Sequence, residues 1–281
     1  MVKNMKRTIA KILCAGVLML TLHSDLSGQD RSFRIGFQAS PVFSGIRNNN
    51  ALIVKNGGNL GAKLGAISDI RWKEHTSITL GLNFAFHEGG EFLYEVGGNY
   101  LPNSDLSDPL LQTGDKPLPD GVKIRYQLQY LEVPVGLKFR LNEKGNTTYF
   151  LEAPVLTFSF LTRGRGDIES EDFLKEQENI KKDLVVPNLF IGFGAGIEYA
   201  ISQNNSLIGG FYWQRGIMDF TQDHGNSAVL NPDIIPMYLT EQDDSRATVS
   251  NLILFLGILF STLFFLIEMN IPYEFVTFDI T

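Results

Sequence analysis

Strict alternation of apolar with small or polar residues recurs in eight segments, short and long connections alternate between them, and helical periodicity is nearly absent. Together these features predict an all-β chain, an eight-stranded antiparallel up-and-down transmembrane β-barrel with long external loops. The 281 residues carry 24 Lys+Arg against 31 Asp+Glu, with 44% hydrophobic residues, 20% charged residues and one cysteine. That length can bury a sizeable core. The charged fraction fits neither a disordered chain nor a polytopic helical membrane protein. A net charge of −7 argues against a nucleic-acid partner, which would need a basic surface. One cysteine excludes a disulfide framework and a Cys-based zinc site.

The first segment is an address. Lys3, Lys6, Arg7 and Lys11 precede an apolar stretch over 12–22, and a short polar stretch ends in Leu26-Ser27-Gly28-Gln29. This is the three-part pattern of a secretory signal peptide over 1–28, cut after Gly28. Its ~11 apolar residues are too few for a span that needs about 20. Cys14 lies inside the apolar stretch, so a lipoprotein signal does not fit. Without this segment, which holds four basic residues and Asp25, the chain carries 20 Lys+Arg and 30 Asp+Glu, a net charge of −10, and no cysteine.

The period-two test places strands at 32–40, 60–72, 76–87, 123–141, 147–161, 188–201, 206–216 and 247–260. In the third, Ile78, Leu80, Leu82, Phe84 and Phe86 share a face opposite Ser77, Thr79, Gly81, Asn83, Ala85 and His87. In the sixth, Leu189, Ile191, Phe193, Ala195, Ile197, Tyr199 and Ile201 alternate with Phe190, Gly192, Gly194, Gly196, Glu198 and Ala200. The fourth slips phase. Ile124, Tyr126, Leu128 and Tyr130 share one face, then Leu131, Val133, Val135, Leu137 and Phe139 share the other, which predicts a β-bulge between Tyr130 and Leu131. Turns at 73–75, 142–146 and 202–205 are short; connections at 41–59, 88–122, 162–187 and 217–246 are long. With both termini on the short-turn side, this is the order of a transmembrane barrel, short turns periplasmic and long loops external.

Side-chain size decides which face looks inward. Opposite the apolar band lie Gly, Ala and Ser, interspersed with Arg34, Lys63, Arg71, Glu132, Lys138, Arg140, Glu152 and Glu198. Eight strands enclose a space just wide enough for side chains, so small residues and opposed charges fit it as a paired lumen network. The larger apolar residues then face lipid. The alternative is a soluble lipocalin-like barrel that binds a ligand in an apolar pocket. Tyr126, Tyr130, Tyr149, Tyr199, Trp72 and Trp213, near strand ends, are candidates for interfacial girdles.

The run Tyr130-Leu131-Glu132-Val133-Pro134-Val135-Gly136-Leu137-Lys138 resembles the central signature of the PorT-like outer-membrane barrels of Bacteroidota-type bacteria. Gly192-Phe193-Gly194-Ala195-Gly196-Ile197-Glu198-Tyr199 is similar to the glycine-rich strand of that family, and 33–37 and 81–84 fit its pattern. The resemblance covers 30–260 and implies an eight-stranded barrel in the bacterial outer membrane. The family's namesake serves a protein-secretion machine (type IX), so the resemblance implies a binding, assembly or structural role in the cell envelope, linked to secretion. Such barrels usually finish on an aromatic residue, which Phe260 supplies, yet 21 residues follow. The apolar run 252–267 leaves three readings of the end: a last strand with a hydrophobic tail at 261–281, a hydrophobic helix, or a reading-frame accident. Only a strand at 247–260 closes the sheet, and it sets Ile253, Phe255 and Leu259 inward.

Chemistry is sparse. The glycines of 192–196 continue a strand and no helix follows, which excludes a nucleotide loop. Arg165-Gly166-Asp167, an adhesion tripeptide, falls on an expected external loop. His87 and His224 fall near the outer rim, His75 in a periplasmic turn, and no triad spacing accompanies them, leaving a rim hydrolase or acyltransferase as a further alternative. The segment 88–122 carries seven Asp/Glu against Lys116 alone, and 217–246 carries six against Arg246. Asp105, Asp108 and Asp115 lack the spacing of a calcium loop. The expectation is no enzyme activity, no cofactor and no metal. Outer-membrane lipid is the expected partner, together with secretion or envelope proteins that dock on the acidic loops.

Overall fold

The computed structural model describes residues 33–261 apart from 115, 203, 223, 231–237 and 243–244. The signal segment, Asp115 and the tail beyond 261 lie outside the described residues. Among the described residues twelve strands occur in chain order: β1 Phe33–Asn48, β2 Ile53–Lys73, β3 Thr76–Tyr94, β4 Gly98–Asn99, β5 Val122–Lys144, β6 Thr147–Glu169, β7 Leu174–Asn179, β8 Pro187–Ala200, β9 Asn205–Gly216, β10 Asn226–Leu230, β11 Tyr238–Gln242 and β12 Ala247–Ser261. Eight of them close a ring of antiparallel pairs in the order β1, β2, β3, β5, β6, β8, β9, β12, and β12 returns to β1. The closing pair sets Ile35 opposite Phe260 and Phe43 opposite Leu252. Closure leaves no unpaired edge, which hydrocarbon could not satisfy.

The barrel has two storeys. In the lower one, the outward positions are predominantly apolar on each strand, among them Phe37, Leu64, Phe84, Phe139, Phe158, Phe193, Phe211 and Leu256. On β5 this series runs from Leu131 to Leu141. Ten residues at about 3.3 Å each, tilted by ~40°, give roughly 25 Å of height, the thickness of the apolar band of an outer-membrane barrel. Tyr149 and Tyr199 at the short-turn ends, Trp72 beside them and Trp213 toward the other end point outward and half-exposed. A soluble ligand-binding barrel needs the opposite arrangement, a wet wall around a greasy cavity.

In the upper storey the pattern inverts. Ile46, Phe92, Tyr94, Ile124, Tyr126, Leu128, Tyr130, Leu161 and Ile168 turn inward and form one buried apolar core. Lys123, Arg125, Gln127 and Gln129 of β5 face out. This inversion replaces the bulge expected in β5 at Tyr130. Even-numbered residues from Val122 to Arg140 keep a single phase and look inward throughout; the greasy face changes sides because the solvent outside changes from water to lipid. The inserted residues at this level belong to the neighbours, at His87 of β3 and Thr162 of β6. Tyr126 and Tyr130 are therefore core residues and not girdle residues, with the Tyr126 and Tyr94 hydroxyls 2.6 Å apart.

Three connections cover the mouth. Tyr100, Leu101, Leu111 and Leu118 from 95–121, Ile180 and Leu184 from 170–186, and Phe220 join the upper core. Asp183 fastens two of them together, accepting from the Asn103 amide at 3.1 Å and from the Ser104 hydroxyl. The segment 41–59 is no long loop: β1 and β2 extend through it to a tight turn at 49–52. Arg165-Gly166-Asp167 likewise lies within β6, with Gly166 buried, rather than on a loop. The last strand runs through Ser261, so a helix does not begin at 252.

Candidate functional site

The inner wall of the lower storey holds charge in three groups. Nearest the short turns, Asp69 of β2 and Glu198 of β8 face Arg34 of β1 and Lys138 and Arg140 of β5. Arg34, Lys138 and Arg140 approach the Asp69 carboxylate at 3.0, 3.2 and 2.7 Å, and Lys138 and Arg140 reach Glu198 at 3.3 and 3.9 Å. Arg34 also pairs with Glu198, and Arg140 donates to Ser77. The Lys138 ammonium stands 4.1 Å from the centre of the Phe150 ring, a cation–π contact that shields it from below. Arg71 sits at the margin of this group and has no ion pair among the described residues.

Higher up, Lys63 of β2 bridges Glu132 at 2.7 Å and Glu88 at 2.9 Å, and the Ser159 hydroxyl donates to Glu132 at 3.4 Å. Glu152 of β6 forms the third group without a cation of its own, accepting from the Thr79 and Tyr212 hydroxyls. Glycine makes room for it. A Cβ on Gly136 would stand 2.3 Å from the Glu152 carboxylate, and one on Gly194 would stand 2.1 Å from the Tyr212 ring. On the β9–β12 side an apolar patch of Phe150, Ile208, Phe255 and Leu259 completes the filling. Between the groups remains a cavity of about 60 Å³ bordered by Gln38, Lys63, Glu132, Glu152 and Gln214, room for a few waters.

All eight residues expected in the lumen network thus lie on the inner wall. Five are cations (Arg34, Lys63, Arg71, Lys138, Arg140) and three are acids (Glu132, Glu152, Glu198). The structure adds two acids, Asp69 and Glu88, and the count becomes five against five. Asp69 shares the phase of Lys63 and Arg71, a signal present in the sequence. Glu88 follows His87, whose positive φ of 57° shifts the phase of β3, so alternation alone points it outward.

Elsewhere the candidates disperse. His75 is exposed in its turn, His87 sits on the outer wall and His224 on a surface loop. Among the described residues no three His, Cys, Asp or Glu side chains converge as a metal site. Acids of the cap are partly neutralised: Asp105 by Lys182 at 2.5 Å, Asp108 by Lys175 at 3.2 Å and Asp120 by Lys116 at 2.6 Å.

The chain is similar to three solved barrels. Against Neisserial surface protein A the identity is 9%, with 83% of this chain and 99% of that chain covered and a TM-score of 0.38. A major outer membrane protein from Thermus thermophilus gives 14%, 83% and 99%, with 0.40. The outer membrane protein OprG from Pseudomonas aeruginosa gives 10%, 85% and 100%, with 0.41. No curated protein matches it in sequence. Residues 24–222, more than half of the 281, match the outer membrane protein beta-barrel domain family. A closed ring of eight strands, an apolar outer belt and this match agree: the chain belongs to the outer membrane protein beta-barrel domain family and resides in the bacterial outer membrane.

Proposed function

We propose that this barrel is a closed-lumen binding or assembly component of the envelope, of the PorT-like kind its central signature resembles, working with secretion or envelope proteins and performing no enzymatic chemistry. The observation that carries the reading is the filling of the lumen. Paired charges occupy the lower storey, an apolar core occupies the upper, and three connections fold over the mouth. A barrel filled in this way has its outer surfaces left to work with. The cap supplies one, with Leu110 74% exposed beside Asp108.

The test has two arms. In planar bilayers the full chain is expected to give no conductance steps above baseline; stable steps would overturn the closed lumen. A photo-crosslinker at Leu110 in cells is expected to capture a defined envelope protein. Crosslinks to lipid alone would reduce the role to a structural one.

A further inference from the structure

On the outer wall, the chemistry changes strand by strand where the barrel leaves hydrocarbon. Along β3 the outward series Leu82, Phe84, Phe86 ends at His87. Along β5 the apolar series stops at Leu131, and Gln129 and Gln127 take the next outward positions; along β6 Phe158 and Phe160 give way to Arg163 and Arg165. Register sets Gln129 opposite Arg163 and Gln127 opposite Arg165. His87 and Gln177 of β7 each hold a positive φ of 57°, a conformation costly for a residue with a Cβ, and both border the same spot. Six side chains, His87, Gln127, Gln129, Arg163, Arg165 and Gln177, line an open concavity of about 40 Å³ there.

Its arginines lack ion-pair partners among the described residues. Among the described residues, neither Arg163 nor Arg165 has a carboxylate within ion-pair distance, whereas on the same wall Arg125 pairs with Glu91 and Lys123 with Glu169. Arg165 donates through Nη1 to the Gln177 carbonyl at 2.7 Å. Beside it the Lys181 ammonium, also without a carboxylate partner among the described residues, donates to the Thr162 carbonyl at 2.9 Å. The nearby acid, Asp167, accepts from the Gln127 amide at 2.6 Å and the Gln177 backbone N–H at 2.8 Å and keeps its negative charge, which offsets one of the two arginines. In a chain with seven more acids than bases, the two guanidiniums outweigh this single carboxylate and leave the concavity net positive.

We propose that this concavity binds the phosphate of an outer-leaflet lipid headgroup. Guanidinium groups match phosphate oxygens with planar, charge-assisted hydrogen bonds, and the glutamine amides supply further donors. The site lies directly above Phe84, Phe158 and Phe160, so a lipid whose phosphate enters it lays its acyl chains on the apolar belt. This assignment rests on residence in the outer membrane and not on the binding or assembly role.

The experiment uses the full chain in phosphatidylcholine nanodiscs doped with phosphatidic acid, with retained lipid read by native mass spectrometry and folding checked by heat-modifiable gel mobility. Phosphatidic acid is expected to be retained in preference to diacylglycerol of the same chain length. R163Q/R165Q is expected to cut that retention about tenfold or more. Q129E, which places a carboxylate opposite Arg163, is expected to cut it with both arginines intact. K73Q/K144Q, removing two exposed charges at the periplasmic end, is expected to leave it unchanged. Equal loss in K73Q/K144Q, or no loss in either wall variant, overturns the site. Inorganic phosphate bound by the solubilised chain as tightly as phosphatidic acid overturns the lipid and leaves a free-anion site.

Discussion

Replacing Asp69 with asparagine keeps shape and removes one buried negative charge from the lower ion cluster. Asp69 is 1% exposed and takes three cations, Arg34 at 3.0 Å, Lys138 at 3.2 Å and Arg140 at 2.7 Å. Charge-assisted hydrogen bonds contribute about 1.5–3 kcal/mol each, so the gross loss is roughly 4.5–9 kcal/mol. Glu198 shares all three cations and can take up part of the imbalance. The net expectation is therefore about 3–5 kcal/mol, the usual cost of leaving buried charge uncompensated. Urea unfolding in lipid vesicles, followed by Trp72 and Trp213 fluorescence, measures it. Pairing D69N with R34Q in a double-mutant cycle is expected to give a coupling of about 1–3 kcal/mol. A D69N cost below about 0.5 kcal/mol, the scale of an inert surface change, would refute the reasoning and mean that water screens the cluster.

Phe211→Arg, at an outward position of β9 that is 60% exposed, is expected to cost about 2–4 kcal/mol in vesicles, measured by the same unfolding assay. Gly194→Ala drives a Cβ to within 2.1 Å of the Tyr212 ring and 2.8 Å of the Phe211 carbonyl; an overpacking cost of about 1–3 kcal/mol or more is expected in the urea midpoint. On the cap, hydrogen bonds from Lys116 and from the Gly97 N–H hold the Asp120 carboxyl below its ordinary value of 3.8. A lowered carboxyl stabilises the cap above that value and stops doing so as pH falls through the depressed one. Protection of the Gly97 amide, its exchange rate taken relative to the intrinsic rate at each pH, is therefore expected to weaken in acid in the wild type, and to become independent of pH in D120N.

Alternation is readable where lipid enforces it. Residues 77–87 and 189–201 must present apolar side chains on one face at every second position, because hydrocarbon tolerates nothing else there. Above the membrane the constraint relaxes. Residues 42–48 and 53–59 belong to β1 and β2, but their outward face meets water and their inner face mixes Ile46 with Ser44, so the contrast fades and the segment reads as a loop. Period two identifies a greasy face without saying whether it looks in or out. On β5 that ambiguity imitates a slip at Tyr130, because Leu128 is apolar toward the core and Val133 is apolar toward lipid. In the lumen, Asp69 is legible from the phase of Lys63 and Arg71. Glu88 is not, since His87 adds a residue whose backbone conformation no spacing announces.

Spin labels placed one at a time along β5 from 123 to 141 test the two-storey wall most directly, through collision with dissolved oxygen and with a water-soluble nickel complex. Odd positions from 131 to 141 are expected to meet oxygen, odd positions from 123 to 129 to meet nickel, and even positions to meet neither. Oxygen access at Glu132, Lys138 or Arg140, or nickel access at Val133, Val135 and Leu137, would contradict the assignment of inside and outside.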